Sequence, residues 1–297
     1  MTAARRLVAA CLALCVLARA GAGESDSGGS GDSGEGYAFV ADASEQYVAQ
    51  VEQHVAWESA GETLDYVTTI SWSWALKVVE ATPERAVLRL TELRVIASHV
   101  GPGSERVVDS STGEGADDPL IGHLAGFDGV ALTLTLDPAT GVVGAVDGGD
   151  QLVARINKRA PGVGAGATPP HDAAARAAYS SENLARWWTQ LLALPAAEPQ
   201  RVPLADPLTG AYLRTWTGDS WKAAGDGEAT ATLGTGPSAV ALAVRDLAGE
   251  GRMVVRDGMP ELSSGAMTFT LELTALTQPV AQKHHLRWSL ARVRPRP

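Results

Sequence analysis

Apolar and polar residues alternate along residues 62–79, and this is the most regular pattern in the chain. The even positions carry the apolar and aromatic residues, which are Leu64, Tyr66, Ile70, Trp72, Trp74, Leu76 and Val78. A period of two is typical of a β-strand that buries one face. A strand of this length is about three times longer than a typical one, so it must bend or coil. We therefore predict a strongly curved antiparallel sheet.

Further alternating stretches predict the other strands. In the first half these are residues 45–58, 86–100, 130–136 and 142–146, and in the second half 212–217, 228–233, 239–246, 252–257, 266–275 and 282–293. Within 86–100 the apolar positions shift by one residue between Leu90 and Leu93. A shift of this kind predicts a β-bulge.

Three stretches have the pattern of helices. Residues 119–126 follow Asp118 and begin with a proline, and Asp150 precedes a second short helix that ends near residue 159. The longest helix is predicted over 172–193 and ends before Pro195. Its apolar stripe, spaced at i, i+3, i+4, i+7 and i+8, consists of Leu184, Trp187, Trp188, Leu191 and Leu192.

These elements predict a mainly β protein with a few helices. We expect strongly curved antiparallel sheets or half-barrels, with the central amphipathic helix packed in the concavity. The chain divides into a β-rich half at 37–160, a segment at 161–210 with a loop, the helix and a proline-rich crossover, and a second β-rich half at 211–295. We expect one integrated domain and not two independent ones.

The amino terminus has the pattern of an export signal. Arg5 and Arg6 precede a short apolar run, and small residues around Ala20 and Ala22 offer cleavage sites, so residues 1–22 predict a signal peptide. Residues 23–36 contain only Gly, Ser, Asp and Glu and predict a flexible linker. Cleavage predicts an exported protein, periplasmic or extracellular, with no integral membrane span. Cys11 and Cys15 leave a lipid-anchored form as an alternative.

Charge and cysteine content narrow the classes of function. The net charge of −10 becomes −13 when Arg5, Arg6 and Arg19 leave with the signal, and no basic cluster offsets it. Nucleic acid is therefore not an expected partner. Both cysteines lie within residues 1–22, so the exported chain has no disulfide, thiol nucleophile or cysteine-ligated metal.

The residue types that perform catalysis form no convincing constellation. The six histidines are His54, His99, His123, His171, His284 and His285. The adjacent pair 284–285 lies on a predicted strand, so its two side chains point to opposite faces and do not predict a metal site. Ser110 and Ser220 lie beside aspartates, but neither has the surrounding pattern of a serine hydrolase. We expect no cofactor and no enzymatic activity, with a serine hydrolase as the least favoured alternative.

The aromatic residues supply the candidate binding site. Tyr66, Trp72 and Trp74 share a strand face, and we expect Trp57, Trp187 and Trp188 to approach it in the fold. In one interpretation the helix packs on these rings and they form a solid core. In the other, the helix is the lid of a pocket for an acyl chain or another apolar ligand. The expected partners are accordingly a lipid or other apolar ligand, or an envelope protein.

The order of several motifs resembles a known family. These motifs are the long hairpin, DPATGVVGAVDGGDQL (137–152), LALP (192–195) and TGDSWKA (217–223). Over about residues 37–293 the chain resembles exported bacterial proteins of the domain-of-unknown-function family numbered 6263. This resemblance implies export and brings no activity, cofactor or catalytic residue. The function expected from the sequence is a non-catalytic binding or carrier module, with a structural or protein-interaction module as the alternative.

Overall fold

The computed structural model describes residues 36–59, 62–118, 121–159, 176, 178–204, 208–233, 240–273 and 280–294. The predicted signal peptide, both cysteines, all of the predicted linker except Gly36, and His171 lie outside the described residues.

The described residues are mainly β-strand. The strands are β1 (Ser44–Ser59), β2 (Glu62–Ala81), β3 (Ala86–Gly101), β4 (Ser104–Asp109), β5 (Leu132–Leu136), β6 (Val143–Asp147), β7 (Gln200–Pro203), β8 (Leu208–Thr217), β9 (Ser220–Leu233), β10 (Val240–Arg256), β11 (Met259–Leu273) and β12 (Val280–Val293). The helices are a 3₁₀ helix (Gly122–Phe127), α1 (Gly149–Arg159) and α2 (Ser181–Leu192).

All twelve strands belong to one antiparallel sheet. Its order is β6-β5-β3-β2-β1-β12-β11-β10-β9-β8-β7, with β4 paired to β3. The two β-rich halves of the sequence meet in the middle of this sheet, where β1 pairs with β12 from Gln46–Val293 to Glu58–Ala281. The sheet is not closed into a barrel. The predicted mainly β class is confirmed, and the two halves form one sheet and not two separate ones.

Strand β2 has the predicted alternation of burial. Its even positions from Thr68 to Val78 are buried, whereas Thr69, Ser71 and Ser73 on the opposite face are partly exposed. Sixteen consecutive residues of β1 pair with β2, from Ser44–Lys77 to Ser59–Glu62. Because Cβ atoms alternate between faces, Trp72 and Trp74 lie on the inner face with Val51 and Tyr47 of β1.

The predicted bulge in β3 is confirmed. Arg94 pairs with Ser73 and Thr91 pairs with Ala75, so two residues of β3 face the single residue Trp74. Glu92, one of the two bulged residues, has a positive φ of 55°, which is unfavourable for a residue other than glycine. The extra residue lets Leu88 and Leu90 before it, and Leu93 and Val95 after it, all point to the interior.

Helix α2 is shorter than predicted. Ser180 has extended backbone angles and its Oγ accepts a hydrogen bond from Asn183 N, so the helix begins at Ser181. The prediction of one uninterrupted helix over 172–193 is therefore wrong at Tyr179–Ser180. The predicted apolar stripe is confirmed, because Leu184, Trp188, Leu191 and Leu192 are buried and Trp187 is partly buried.

The sheet curves around α2. The helix contacts β6 and β7, which are the two ends of the strand order, and also β11 near the middle. A helix about 18 Å long can contact both ends of so wide a sheet only if the sheet bends around it. The inner, concave face therefore contains the core.

Other strand boundaries differ from the prediction. Strands β4 and β7 were not predicted, and the stretches predicted at 239–246 and 252–257 are one strand, β10. A register shift between Arg245 and Ala248, with a positive φ at Asp246, bends β10 and hides its continuity in the sequence. In the part of the chain that the structure describes, no helix has the length and apolar character needed to cross a membrane.

Candidate functional site

Two pairs of tryptophans join α2 to β2. The ring of Trp72 lies 5.8 Å from that of Trp187 at an interplanar angle of 60°, and Trp74 lies 5.5 Å from Trp188 at 89°. Edge-to-face packing of this kind is favourable for aromatic rings. Four of the six predicted site residues therefore contact one another, and in both pairs a tryptophan of the helix packs on a tryptophan of the sheet.

A small cavity remains beside these rings, which we call the helix–sheet cavity. It measures about 30 Å³, and its walls come from β2, β3, β5, the 3₁₀ helix and the amino-terminal side of α2. It is lined by Trp72, Trp74, Leu93, Leu124, Phe127, Leu132, Ala178, Tyr179, Asn183, Leu184, Trp187 and Trp188. This is space for about two waters and is far smaller than an ordinary ligand pocket.

Three residues of this lining carry buried donors without an acceptor. Among the described residues nothing accepts a hydrogen bond from Trp74 Nε1, Trp188 Nε1 or the hydroxyl of Tyr179. Buried polar groups in native proteins are almost always paired, and each unpaired one costs about 1–3 kcal/mol. All three donors belong to residues that line the helix–sheet cavity.

The hydroxyl of Tyr179 can act only as a neutral group. Its burial raises the pKa of Tyr179 well above its usual value of 10. The lining also contains no charged side chain, and Asn183, whose Nδ2 donates to Ala178 O at 2.8 Å, supplies its only amide. The cavity therefore suits a neutral acceptor, such as a carbonyl, ester or water oxygen, and not a charged group.

Tyr66 and Trp57 lie on the concave face but away from the helix–sheet cavity. Tyr66 is six residues from Trp72 along β2, about 20 Å at the usual rise per residue. It stacks on His99 with the ring centroids 5.8 Å apart. Trp57 is buried on β1, where it pairs with Leu64. The four predicted strand residues thus share the concave face, and only two of them line the cavity with Trp187 and Trp188.

The end of the concave face near Trp57 is polar. Its buried polar residues are Gln53, Thr68, His99, Gln282 and His284. His284 lies between Gln53 Nε2, at 2.9 Å, and Gln282 Oε1, at 3.2 Å, and it stacks on Phe269. His285 points to the opposite face, as the alternation predicts. No group of three or more potential metal-ligating side chains occurs among the described residues.

Sequence reasoning missed several residues of the cavity wall. Tyr179 and Asn183 precede or begin the helix, and Leu124 and Phe127 belong to the 3₁₀ helix. Leu93 had a signal in the parity shift of the bulge, Leu132 in the alternation of 130–136, and Leu184 in the helical stripe. The positions of Leu124 and Phe127 depend on how the segment at 121–130 folds over β3, which no local sequence pattern indicates.

The two serines considered for hydrolysis have structural contacts. Ser110 is fully buried and its Oγ accepts a hydrogen bond from Val95 N at 2.8 Å. The carboxylate beside it, Asp109, binds Arg94 and Ser111. Ser220 is exposed and donates to Asp219, which also binds Arg252. Ser110 thus binds the backbone of β3, and the carboxylate that accepts from Ser220 is also bound by Arg252.

Comparisons with known proteins assign no family. No family model matches the chain, and no curated protein matches it. Among solved structures it is similar to one described as lipid–protein interactions in lipovitellin, with a TM-score of 0.40 and 10% identity. That match covers 87% of this chain and 26% of the lipovitellin chain, so this chain spans about a quarter of that one. A similarity this weak identifies no function, and the resemblance to the family numbered 6263 stays a prediction.

Proposed function

We propose that this protein is a non-catalytic binding module of the cell envelope whose ligand is an apolar molecule with a neutral acceptor oxygen, such as a lipid ester. One observation carries the proposal. The helix–sheet cavity is walled by apolar side chains, and three of its lining residues carry buried donors that lack an acceptor within the described part of the chain. Small-molecule sites are usually concave and lined by apolar side chains with a small number of polar groups.

The size of the cavity sets a condition on binding. At about 30 Å³ it cannot hold an acyl chain while α2 lies against β2. Entry of a chain therefore requires Trp187 and Leu184 to move away from Trp72. Such a movement costs free energy, because it separates edge-to-face rings, and ligand contacts and newly paired donors would offset that cost.

Export is part of the same proposal. It is supported by the charged and apolar pattern of residues 1–22, which is a property of the sequence alone. The absence of cysteine after residue 22 fits an exported module that needs no redox chemistry.

A structural or protein-interaction module is the second candidate. The observation in its favour is the close packing of Trp72 on Trp187 and of Trp74 on Trp188, which leaves space only for water. In this case two ordered waters would satisfy the three donors.

Native mass spectrometry with methyl oleate, a neutral ester, distinguishes the two candidates. We expect the protein purified without residues 1–22 to bind one molecule. Affinity should fall about tenfold in Tyr179→Phe and Trp188→Phe, because each removes one donor and keeps an aromatic ring, which in Trp188→Phe is a phenyl in place of the larger indole. Trp216→Phe is the matched control, because Trp216 Nε1 is already paired with Gln200 Oε1 at 2.7 Å.

A protein that binds neither methyl oleate nor a host lipid is not the proposed carrier.

A further inference from the structure

A row of aromatic and glycine residues crosses five strands of the second half. From β12 to β8 the paired residues are Trp288, Gly265, Gly251, Trp221 and Trp216. The two glycines make room for the indoles. A Cβ at Gly251 would lie 2.5 Å from Trp221 Cζ2, and one at Gly265 would lie 2.6 Å from the same atom. Trp221 and Trp288 meet over the glycines, with centroids 5.5 Å apart and planes at 27°.

The guanidinium of Arg214 lies on this aromatic row. Its Cζ is 4.5 Å from the ring centroid of Trp221 and 5.6 Å from that of Trp216. Its Nη2 donates to Tyr212 Oη at 2.8 Å and to Gln190 O at 3.2 Å. The carbonyl of Gln190 is in the last turn of α2, where carbonyls lack a helical partner.

Arg214 is a buried charge without a counter-ion in the described part of the chain. Its exposed fraction is 1%, and no described aspartate or glutamate is buried. Among the described residues Arg214 forms no ion pair, whereas the ion pairs of the other arginines lie at the surface or reach it. The helix terminus supplies about half a negative charge and the indole face supplies attraction, so the guanidinium is only partly compensated.

One donor of this cation and one donor of the aromatic row are also unpaired. Neither Nε of Arg214 nor Nε1 of Trp288 has an acceptor among the described residues, and both atoms are buried. A buried guanidinium with an unpaired Nε and no buried acid among the described residues is complementary to an anion. We propose that Arg214, Trp288 and Tyr212 form an anion subsite in the concave face, which takes a carboxylate or phosphate group.

This subsite is separate from the helix–sheet cavity. It is built on β8, β9 and β12, contacts the carboxyl-terminal end of α2, and shares no residue with the cavity lining. Trp216 contacts the guanidinium and is only half-buried, so it lies on the side of the subsite that is nearest to solvent. The inference goes beyond the proposed function and does not require that an apolar ligand binds.

Calorimetric titration of the full exported chain tests the subsite with three probes. Inorganic phosphate tests a free anion, oleate tests the carboxylate of an amphiphile, and oleyl alcohol is the uncharged match to oleate. We expect phosphate or oleate to bind at least about tenfold more weakly to Arg214→Met than to the natural protein. Arg201→Met is the matched control, because Arg201 is 68% exposed and pairs with Asp226 at the surface.

Trp288→Phe replaces the indole by a phenyl ring, removes one donor and should weaken binding of the same probe by a smaller factor. If Arg214→Met does not fold, the same titrations are made with Arg214→Lys and Trp288→Phe. Phosphate binding identifies a free anion, and binding of oleate alone identifies a headgroup. Equal binding of oleate and oleyl alcohol, unchanged by Arg214→Met, would overturn the inference. So would the absence of any anion binding to the natural protein, which would leave Arg214 as a cap of α2.

Discussion

At the scale of single residues, Asp109 shows how one bulge positions an electrostatic contact. The bulge at Glu92 turns Arg94 toward β4, where its Nη2 donates to Asp109 at 2.8 Å. Ser111 donates to the same carboxylate from both Oγ and N. The hydrogen bond from Arg94, then those from Ser111, lower the pKa of Asp109 from 3.8 to about 2.

This shift predicts a specific loss of stability in acid. A carboxylate whose pKa is lower in the folded chain stabilises the fold above its unfolded pKa, and that contribution disappears as the pH falls from 3.8 to about 2. We expect Asp109→Asn to lower the melting temperature by about 1–3 °C at pH 6, because Arg94 is half exposed. The difference from the natural protein should vanish near pH 2. Thermal melts at both pH values measure it.

Glu105→Gln on the same strand is the control for that measurement, because Glu105 is exposed. A difference between Asp109→Asn and the natural protein that persists unchanged at pH 2 would contradict the assigned pKa.

The structural role of some residues cannot be predicted from the sequence alone. The alternation in 62–79 was enough to predict that Trp72 and Trp74 face the interior. Gly251 and Gly265 appear in the sequence only as weak points of two strands. Their role follows from Trp221 and Trp288, which come from other strands and need the space above them. Arg214 likewise lies between the exposed Leu213 and Thr215, and its charge alone would predict an exposed side chain.

At the scale of elements, α2 protects a free edge of the sheet. Strand β6 is the last strand in the order, so one side of it has no partner strand. Thr189 Oγ1 accepts a hydrogen bond from Val143 N at 2.9 Å, and Ser181 Oγ accepts one from Val146 N at 3.1 Å. Covering an edge in this way satisfies its backbone and prevents pairing with another chain.

Replacement of Thr189 measures this contact. Thr189→Val keeps the shape of the side chain and leaves the buried N–H of Val143 without an acceptor, so we expect a loss of about 1–3 kcal/mol in the free energy of unfolding. Thr189→Ser keeps the hydroxyl and is the control, with a smaller loss from the missing methyl group. Urea denaturation gives both values. Equal losses in the two variants would show that the hydroxyl does not stabilise the edge.

The elements differ in how far the sequence predicts them. Strands β1, β2 and β3 and the stripe of α2 were predicted because each buries one regular face. Strands β4 and β7 are short and lie at the margins of the sheet. Their formation depends more on pairing with distant strands than on a local alternation of apolar residues. The break at Ser180 was missed because Ser180 lies inside a pattern that continues helically on both sides.

At the scale of the whole molecule, the ladder between β1 and β12 joins the first and last strands of the chain. Thirteen consecutive pairs connect them. Tyr47 extends the connection, because its hydroxyl donates to Pro260 O at 2.9 Å while its ring stacks on Trp74. The amino-terminal segment adds another link, since Tyr37 N donates to Pro138 O and Ala38 N donates to Gly258 O. The two sequence halves are therefore parts of one core.

This arrangement predicts that the halves unfold together. Chains of this size often unfold in steps, but here neither half can expose its central strand without losing the ladder and the packing on α2. We expect amides of β3 and β10 to lose hydrogen-exchange protection at the same urea concentration. Val51→Pro, which removes a ladder hydrogen bond in a fully buried central strand, should lower that concentration equally for both. If β3 stays protected while β10 exchanges freely, the sheet consists of two cooperative units, and a ligand could open one half without the other.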